Sequence, residues 1–103
     1  MRKVNYTKSQ AAYRWTQTDE SLTISLPVRN VNRKDIDVLY AEYVLKVNAP
    51  SIRYVQVIDF PFPIDFANPQ NRVQQTDDSL EIFLMKKDES GEPWPELQLT
   101  GLN

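Results

Sequence analysis

The chain has 103 residues, and its 12 Lys and Arg against 14 Asp and Glu give a formal net charge of −2 at pH 7. It contains no cysteine and no histidine, which excludes disulfides, thiolate or histidine zinc sites, and nucleophilic schemes that rely on histidine. The charge balance gives no reason to expect a nucleic-acid partner, and no run approaches the roughly 20 apolar residues that cross a bilayer.

The first 12 residues are predicted to be a flexible polar lead-in, and residues 13–103 to form one folded domain. Basic residues near the N-terminus are not followed by the apolar segment of a secretory signal. Together with the lack of cysteine, this predicts a cytoplasmic protein that is a monomer as an isolated domain.

From residue 13 onward the sequence has the period of two that is typical of half-buried β-strands. Leu22, Ile24 and Leu26, for example, alternate with Ser and Thr. The predicted strands cover residues 13–17, 21–26, 35–40, 43–48, 52–58, 72–75 and 80–85.

The connections between these strands have the residues of turns and strand ends. Pro27 and Pro50 lack an amide hydrogen and are expected to end the second and fourth strands. Residues 59–71 carry three prolines and form the one irregular stretch. Thr76-Asp77-Asp78-Ser79 has the composition of a hairpin turn before the last strand.

A single sheet of seven alternating strands would leave one apolar face uncovered, whereas two packed sheets bury both inner faces. The prediction is therefore an all-β, seven-stranded antiparallel β-sandwich of the immunoglobulin-like type. Tyr43 is expected to face the core with Leu45 and Val47. Trp15 and Trp94 are interpreted as packing residues, and the indole N–H of Trp94 is expected to need a partner.

The remaining candidates for catalysis or metal binding are carboxylates. Asp77 and Asp78 are adjacent in a turn, where aspartate commonly bonds to the local backbone. Asp65 and Asn68 lack the alternating oxygen ligands of a calcium loop, and no glycine-rich phosphate loop is present. The sequence predicts a binding protein with no catalytic residue, metal or cofactor, and an enzyme that uses only tyrosine and carboxylates is the alternative.

The loop Phe60–Phe66 is the first candidate binding feature. Its Phe62 and Phe66 rings, held by prolines, could form an exposed contact patch of low conformational entropy. The alternative is that the rings fold inward and plug one end of the sandwich. The acidic residues of the last third of the chain are interpreted as a solvated edge, with a docking surface for a basic partner as the alternative.

The outer face of the last hairpin is the second candidate. Phe83 and Met85 alternate with the predicted core residues there, between the charged side chains of Glu81 and Lys87. The face exposes apolar area unless the N-terminal segment around Tyr6 covers it. We therefore predict that partner binding uses Glu81, Phe83, Met85, Lys87, Phe62 and Phe66.

Several short patterns, taken in order, resemble the CS domain family. They are Trp15-x-Gln17, Leu22-x-Ile24-x-Leu26, Asp35-Ile36-Asp37-Val38, Tyr43-Val44-Leu45-Lys46-Val47-Asn48, Leu80-Glu81-Ile82-x-Leu84-x-Lys86 and Trp94-x-x-Leu97. The resemblance runs from about Tyr13 to Gly101. It implies the seven-stranded sandwich shared by small co-chaperones of heat-shock protein 90.

Three further patterns resemble the N-terminal CS domain of the dynein axonemal assembly factors, one of which was first described as a dyslexia-susceptibility candidate. They are Ser25-Leu26-Pro27, Leu45-Lys46-Val47-Asn48-x-Pro50 and Leu99-Thr100-Gly101. This resemblance implies a non-enzymatic adaptor that acts with heat-shock protein 90 and related chaperones in the preassembly of axonemal dynein arms for motile cilia. The implied partners are those chaperones and dynein chains or other assembly factors. Members of that subfamily carry a C-terminal tetratricopeptide-repeat domain.

The sequence departs from the family at the surface that faces the chaperone. In the branch of plant-immunity and kinetochore co-chaperones this surface presents a tyrosine, a phenylalanine, a lysine and a glutamate. The corresponding residues here are Thr16, Pro27, Ser79 and Glu81, so Glu81 alone matches, and binding through another surface is an alternative. Two rival functions also stay open: a generic CS-type chaperone that binds unfolded or other client proteins directly, and a prostaglandin isomerase, whose activity in one family member is thiol-dependent.

Overall fold

The structure, a computed structural model, describes residues 13–88 and 90–99. They contain seven β-strands and two short 3-10 turns, at Arg33–Asp35 and Pro50–Ile52. The strands are β1 (Arg14–Gln17), β2 (Ser21–Leu26), β3 (Asp37–Ala41), β4 (Val44–Ala49), β5 (Tyr54–Asp59), β6 (Arg72–Gln75) and β7 (Leu80–Met85). The predicted all-β class is confirmed, and no helix in this part of the chain is long and apolar enough to cross a membrane.

The strands form two antiparallel sheets. One sheet has four strands in the order β1-β2-β7-β6, and the other has three in the order β3-β4-β5. Because β2 and β7 are central neighbours, the start and the end of the domain are joined in one sheet, with Ile24 opposite Ile82. This arrangement confirms the predicted sandwich.

The core lies between the two sheets and is built from alternate residues of the central strands. In β2 and β7 the apolar residues at every second position are fully buried, as expected for strands with one face on a core. Among the largest buried side chains of the whole core, the strands contribute Leu22, Ile24, Leu26, Leu45, Ile58, Leu80, Ile82 and Leu84, and loops contribute Phe60, Ile64 and Leu97.

The structure corrects three details of the strand prediction. Asp35 belongs to the first 3-10 turn, so the third strand begins only at Asp37. Tyr43 lies in the two-residue turn between β3 and β4 and is exposed, because Ala41 and Val44 pair directly across that turn. Ile52 belongs to the second 3-10 turn, which ends at Arg53 with a left-handed φ of 56°. The fifth strand therefore begins only at Tyr54.

Candidate interaction surfaces

The outer face of the four-stranded sheet carries three of the six predicted site residues. We call it the β7 face and define it by the outward-directed residues Arg14, Thr16, Thr23, Ser25, Arg72, Gln74, Glu81, Phe83 and Met85. Pairing across the strands places Glu81 opposite Ser25 and Phe83 opposite Thr23. All three predicted residues of β7 are half-buried, in alternation with the core. The predicted periodicity of this strand is thus confirmed.

Glu81 is held by two short hydrogen bonds. The hydroxyls of Ser25 and Ser79 each donate to Glu81 Oε2, at 2.6 Å in both cases. The Ser25 bond, followed by the Ser79 bond, lowers the pKa of Glu81 because both stabilise the carboxylate. Arg14 adds a weaker electrostatic contribution of the same sign. Glu81 is therefore a fixed negative charge whose second oxygen is free of these two bonds.

Phe83 and Met85 are also engaged by neighbouring residues. The Arg72 guanidinium carbon lies 4.3 Å from the centroid of the Phe83 ring, within the range of a cation–π contact. The backbone N–H of Met85 donates to Asn71 Oδ1 at 2.7 Å. The β7 face is consequently a mixed surface in which the Phe83 ring and the Met85 side chain are bordered by charge. Tyr6, predicted as an alternative cover, lies outside the described residues.

Lys87 does not share the polar network of Glu81. Its Nζ atom lies 2.7 Å from Glu42 Oε2, in the turn between β3 and β4. This hydrogen bond raises the pKa of Lys87. Both side chains are well exposed to solvent, so the pair contributes little to stability. Its effect is to place the Lys87 charge at the end of the sandwich, next to the other sheet.

The aromatic rings of the proline-rich loop differ in burial: some pack inward at the end of the sandwich and others are exposed to solvent. Phe60 is buried and meets Trp94 edge-on, with ring centroids 5.7 Å apart. Phe62 packs on the same indole at 5.6 Å and keeps 38% of its surface exposed, whereas Phe66 is 51% exposed. The inward fold predicted as one alternative thus holds for Phe60, and the exposed patch predicted as the other holds for Phe66.

The loop is fastened to strand β7 by backbone bonds. Ile64 forms a bridge with Lys86, and the N–H of Asp65 donates to the carbonyl of Met85 at 2.8 Å. Asn71 Nδ2 donates in turn to the Asp65 carbonyl at 2.8 Å. These bonds set Phe62 and Phe66 at one end of the sandwich, next to the end of the β7 face.

Trp94 is confirmed as a packing residue, since it is only 4% exposed. Within the described residues its backbone rather than its indole N–H is hydrogen-bonded. Gln17 Oε1 accepts from the Trp94 N–H at 2.8 Å and Gln17 Nε2 donates to the Trp94 carbonyl at 2.9 Å. Lys86 Nζ also donates to Gln17 Oε1 at 2.8 Å, and burial lowers the pKa of Lys86. The Gln17 side chain therefore joins β1, β7 and the C-terminal segment.

Sequence reasoning missed the outer face of the three-stranded sheet. Leu39, Val55 and Val57 are 58%, 59% and 40% exposed there. We call this surface the β4 face, defined by Asp37, Leu39, Ala41, Val44, Lys46, Asn48, Val55, Val57 and Asp59. The available signal was β5, where the exposed Val55 and Val57 alternate with the inward-directed Tyr54, Gln56 and Ile58, so that apolar side chains lie on both faces of the strand.

The described residues contain no group of three or more carboxylate, histidine or cysteine side chains that could hold a metal ion. The geometry on these two faces is that of surfaces, in which fixed charges and partly exposed apolar side chains lie on stiff strands. A search against known families decides which kind of domain this is. The model of the CS domain matches residues 11–86.

The chain belongs to the CS domain family. The resemblance predicted from the sequence is thereby confirmed, and relatives of known name agree with it. Dynein axonemal assembly factor 4 from Pongo pygmaeus and from Pan paniscus are each 31% identical to this chain over 91 residues. The match covers 88% of this chain and 20% of those proteins, so the chain spans about a fifth of the length of these relatives.

Solved structures share the fold of this CS domain. The nuclear movement protein from E. cuniculi GB-M1 superposes with a TM-score of 0.70 at 17% identity, covering 85% of this chain and 99% of that one. Heat shock protein 16.0 from Schizosaccharomyces pombe gives 0.63 at 13% identity, covering 85% and 96%. The CS1 domain of USP19 gives 0.55 at 19% identity, covering 88% and 98%. At these identities the likeness concerns the fold alone.

Proposed function

We propose that this CS domain is a protein–protein interaction module of a cytoplasmic co-chaperone, acting with heat-shock protein 90 and related chaperones in the preassembly of axonemal dynein arms for motile cilia. Binding is the whole of its action, so no residue has a catalytic role. The contacts are made by Glu81, Phe83 and Met85 on the β7 face, with Lys87, Phe62 and Phe66 at its end.

The observation that carries this proposal is the arrangement on one strand of Glu81 and Phe83, whose side chains are held by neighbours, beside Met85. Interfaces gain affinity when their anchoring side chains are already held in place, because less conformational entropy is lost on binding. Glu81 is oriented by Ser25 and Ser79, and the aromatic ring of Phe83 lies in the centre of the face. Family membership supports the same function, and so does the name of the dynein axonemal assembly factor 4 relatives.

Titration of the isotope-labelled domain with purified heat-shock protein 90, followed by amide NMR, tests the chaperone contact. We expect shifts or line broadening at Glu81 to Lys87 and in the loop around Phe66. Glu81→Lys should weaken binding about tenfold, the size of a lost close charge contact. Asp37→Lys makes the same charge change on the β4 face and should leave the affinity within a factor of about two.

A second pair of variants tests the loop. Phe66→Ser should weaken chaperone binding, whereas Leu99→Ser, at a side chain exposed to the same extent, should not. Unchanged spectra at saturating chaperone would refute direct chaperone binding by this domain. The same titration with purified dynein chain segments then asks whether the β7 face binds the client instead.

A second function is favoured by the exposed aliphatic side chains of the β4 face. A generic CS-type chaperone would use Leu39, Val55 and Val57 to hold unfolded or other client proteins directly. Light scattering of heated citrate synthase, with and without the domain, tests this. Suppression of aggregation that is lost in the double variant Leu39→Ser and Val55→Ser would support it.

A further inference from the structure

The β4 face is a three-by-three array of outward side chains on an antiparallel sheet. Strand pairing gives its rows as Asp37–Asn48–Val55, Leu39–Lys46–Val57 and Ala41–Val44–Asp59. Lys46 is therefore the central residue, with an exposed aliphatic side chain on each side in its own row. The array is distinct from the β7 face, which lies on the other sheet.

The central lysine lacks a charged partner among the described residues. Among the described residues, the salt bridge joins Lys87 to Glu42, and no salt bridge involves Lys46. Neighbouring strands lie about 4.8 Å apart, and every second residue of a strand lies about 7 Å apart. The Cα atoms of Asp37 and Asp59 therefore lie about 8 Å from the Cα atom of Lys46, along one diagonal of the array. Lys46 thus forms no salt bridge within the described residues and lies between Leu39 and Val57 in its row.

We propose that the β4 face docks a segment of a partner protein that presents one carboxylate framed by aliphatic side chains. Covering Leu39 and Val57 removes water from Lys46 as well, since it lies between them. A charge that loses its water without a partner is costly, so a segment that buries these aliphatic residues must supply an acidic group opposite Lys46. The proposal does not depend on chaperone binding by the β7 face.

Charge arrangement also distinguishes this partner from other occupants. Asp37 and Asp59 at opposite corners repel a polyanion such as nucleic acid, which favours a single carboxylate over a run of phosphates. A second copy of the chain docked symmetrically about the centre of the face would bring two Lys46 ammonium groups together, since residues near a twofold axis meet their own copies. Like charges at such a contact are unfavourable.

A random 16-residue peptide library displayed on phage, selected on the immobilised domain, tests this proposal. Enriched peptides are expected to contain Asp or Glu flanked by Leu, Ile or Val. An enriched peptide, synthesised and titrated into the labelled domain, should shift amides of β3, β4 and β5. Lys46→Glu should weaken it at least about tenfold, and exchange of the peptide's acidic residue for Lys should recover binding to that variant.

Lys34→Glu is the matched control, because Lys34 is also an exposed lysine but lies outside the face. Its charge reversal should change affinity by less than about twofold. Failure to enrich any acidic-aliphatic pattern, or shifts confined to the β7 face, would overturn the proposal. So would full binding by Lys46→Glu. Concentration-dependent dimerisation in sedimentation, abolished by Leu39→Lys, would assign the face to a second copy instead.

Discussion

The two outer faces of this sandwich differ in how far neighbouring residues contact their outward-directed side chains. On the β7 face, polar and charged side chains bond within their own sheet, as Glu81 does with Ser25, and Arg72 covers part of Phe83. On the β4 face, Leu39 and Val55 remain more than half exposed around Lys46, which forms no salt bridge in the described structure. The first face makes its polar contacts within its own sheet, whereas the second leaves aliphatic side chains exposed to solvent.

This difference teaches that exposure, rather than apolar composition, separates the two surfaces. Phe83 and Met85 are as apolar as Leu39, Val55 and Val57 of the β4 face, yet both are half-buried. Val55 and Val57 lie on β5, at the edge of the smaller sheet, where one neighbouring strand is missing. Fewer neighbours leave more of each side chain in contact with water.

Trp94→Ala should have the largest effect, because Trp94 supports both sheets from the end of the sandwich. Removing a buried indole that contacts Phe60 and Phe62 should lower the free energy of unfolding by about 3–5 kcal/mol. Urea denaturation measures it, with Leu99→Ala at an exposed site as the control. A loss below about 1 kcal/mol would show that Trp94 is not an anchor of the structure that carries the two faces.

Gln17→Leu should rank second. It removes the two hydrogen bonds with the Trp94 backbone and leaves Lys86 Nζ with the Thr18 carbonyl as its other acceptor. Polar groups left without partners should cost about 1–3 kcal/mol in urea denaturation. Thr16→Ala, the neighbouring outward position on β1, should change stability by less than about 0.5 kcal/mol. Equal effects of the two substitutions would contradict the role given to Gln17.

Phe83→Ala and Leu39→Ala compare the faces directly. The half-buried Phe83 loses its packing and the Arg72 contact, so unfolding free energy should fall by about 1–2 kcal/mol, less than for a buried ring. The exposed Leu39 should change it by less than about 0.5 kcal/mol. Thermal and urea unfolding of both variants measure the two changes. A larger loss of stability for Leu39→Ala would contradict the closer packing described for the β7 face.

Protonation of Glu81 at acid pH should have the smallest effect on the free energy of unfolding, and it tests whether polar contacts stabilise the β7 face. Its pKa is lowered in the folded chain by the Ser25 and Ser79 bonds, so its stabilising contribution is present above the unfolded value of about 4.3. That contribution is lost as the pH falls through the lower folded value. The stability difference between the wild type and Glu81→Gln should therefore shrink below about pH 4.

NMR titration of the Glu81 carboxyl carbon checks the cause of this shift. Ser25→Ala should move the pKa of Glu81 back toward its ordinary value, since it removes the larger contribution. An unchanged pKa of Glu81 in the Ser25→Ala variant would show that the hydrogen bond from Ser25 does not stabilise the carboxylate.

The strand pattern could be predicted from sequence wherever one face of a strand is buried in the core. The alternation in Ser21–Leu26 and Leu80–Met85 identified both central strands and the inward residues of each. Prediction failed at Tyr43, where a tight turn rather than the apolar character of the ring decided its direction. It also failed to find the β4 face, because an alternating pattern does not say which exposed positions gain cover from neighbouring strands.

The sequence by itself determined the class of the domain, its seven strands and its family, because local periodicity and short ordered patterns are properties of the chain. Only the tertiary structure decided which strands became neighbours, and with that which side chains found partners. Glu81 is bonded because β7 pairs with β2, while Lys46 stands among aliphatic residues because β4 lies between β3 and β5. Contacts between residues distant in sequence depend on packing, and packing is decided by the chain as a whole.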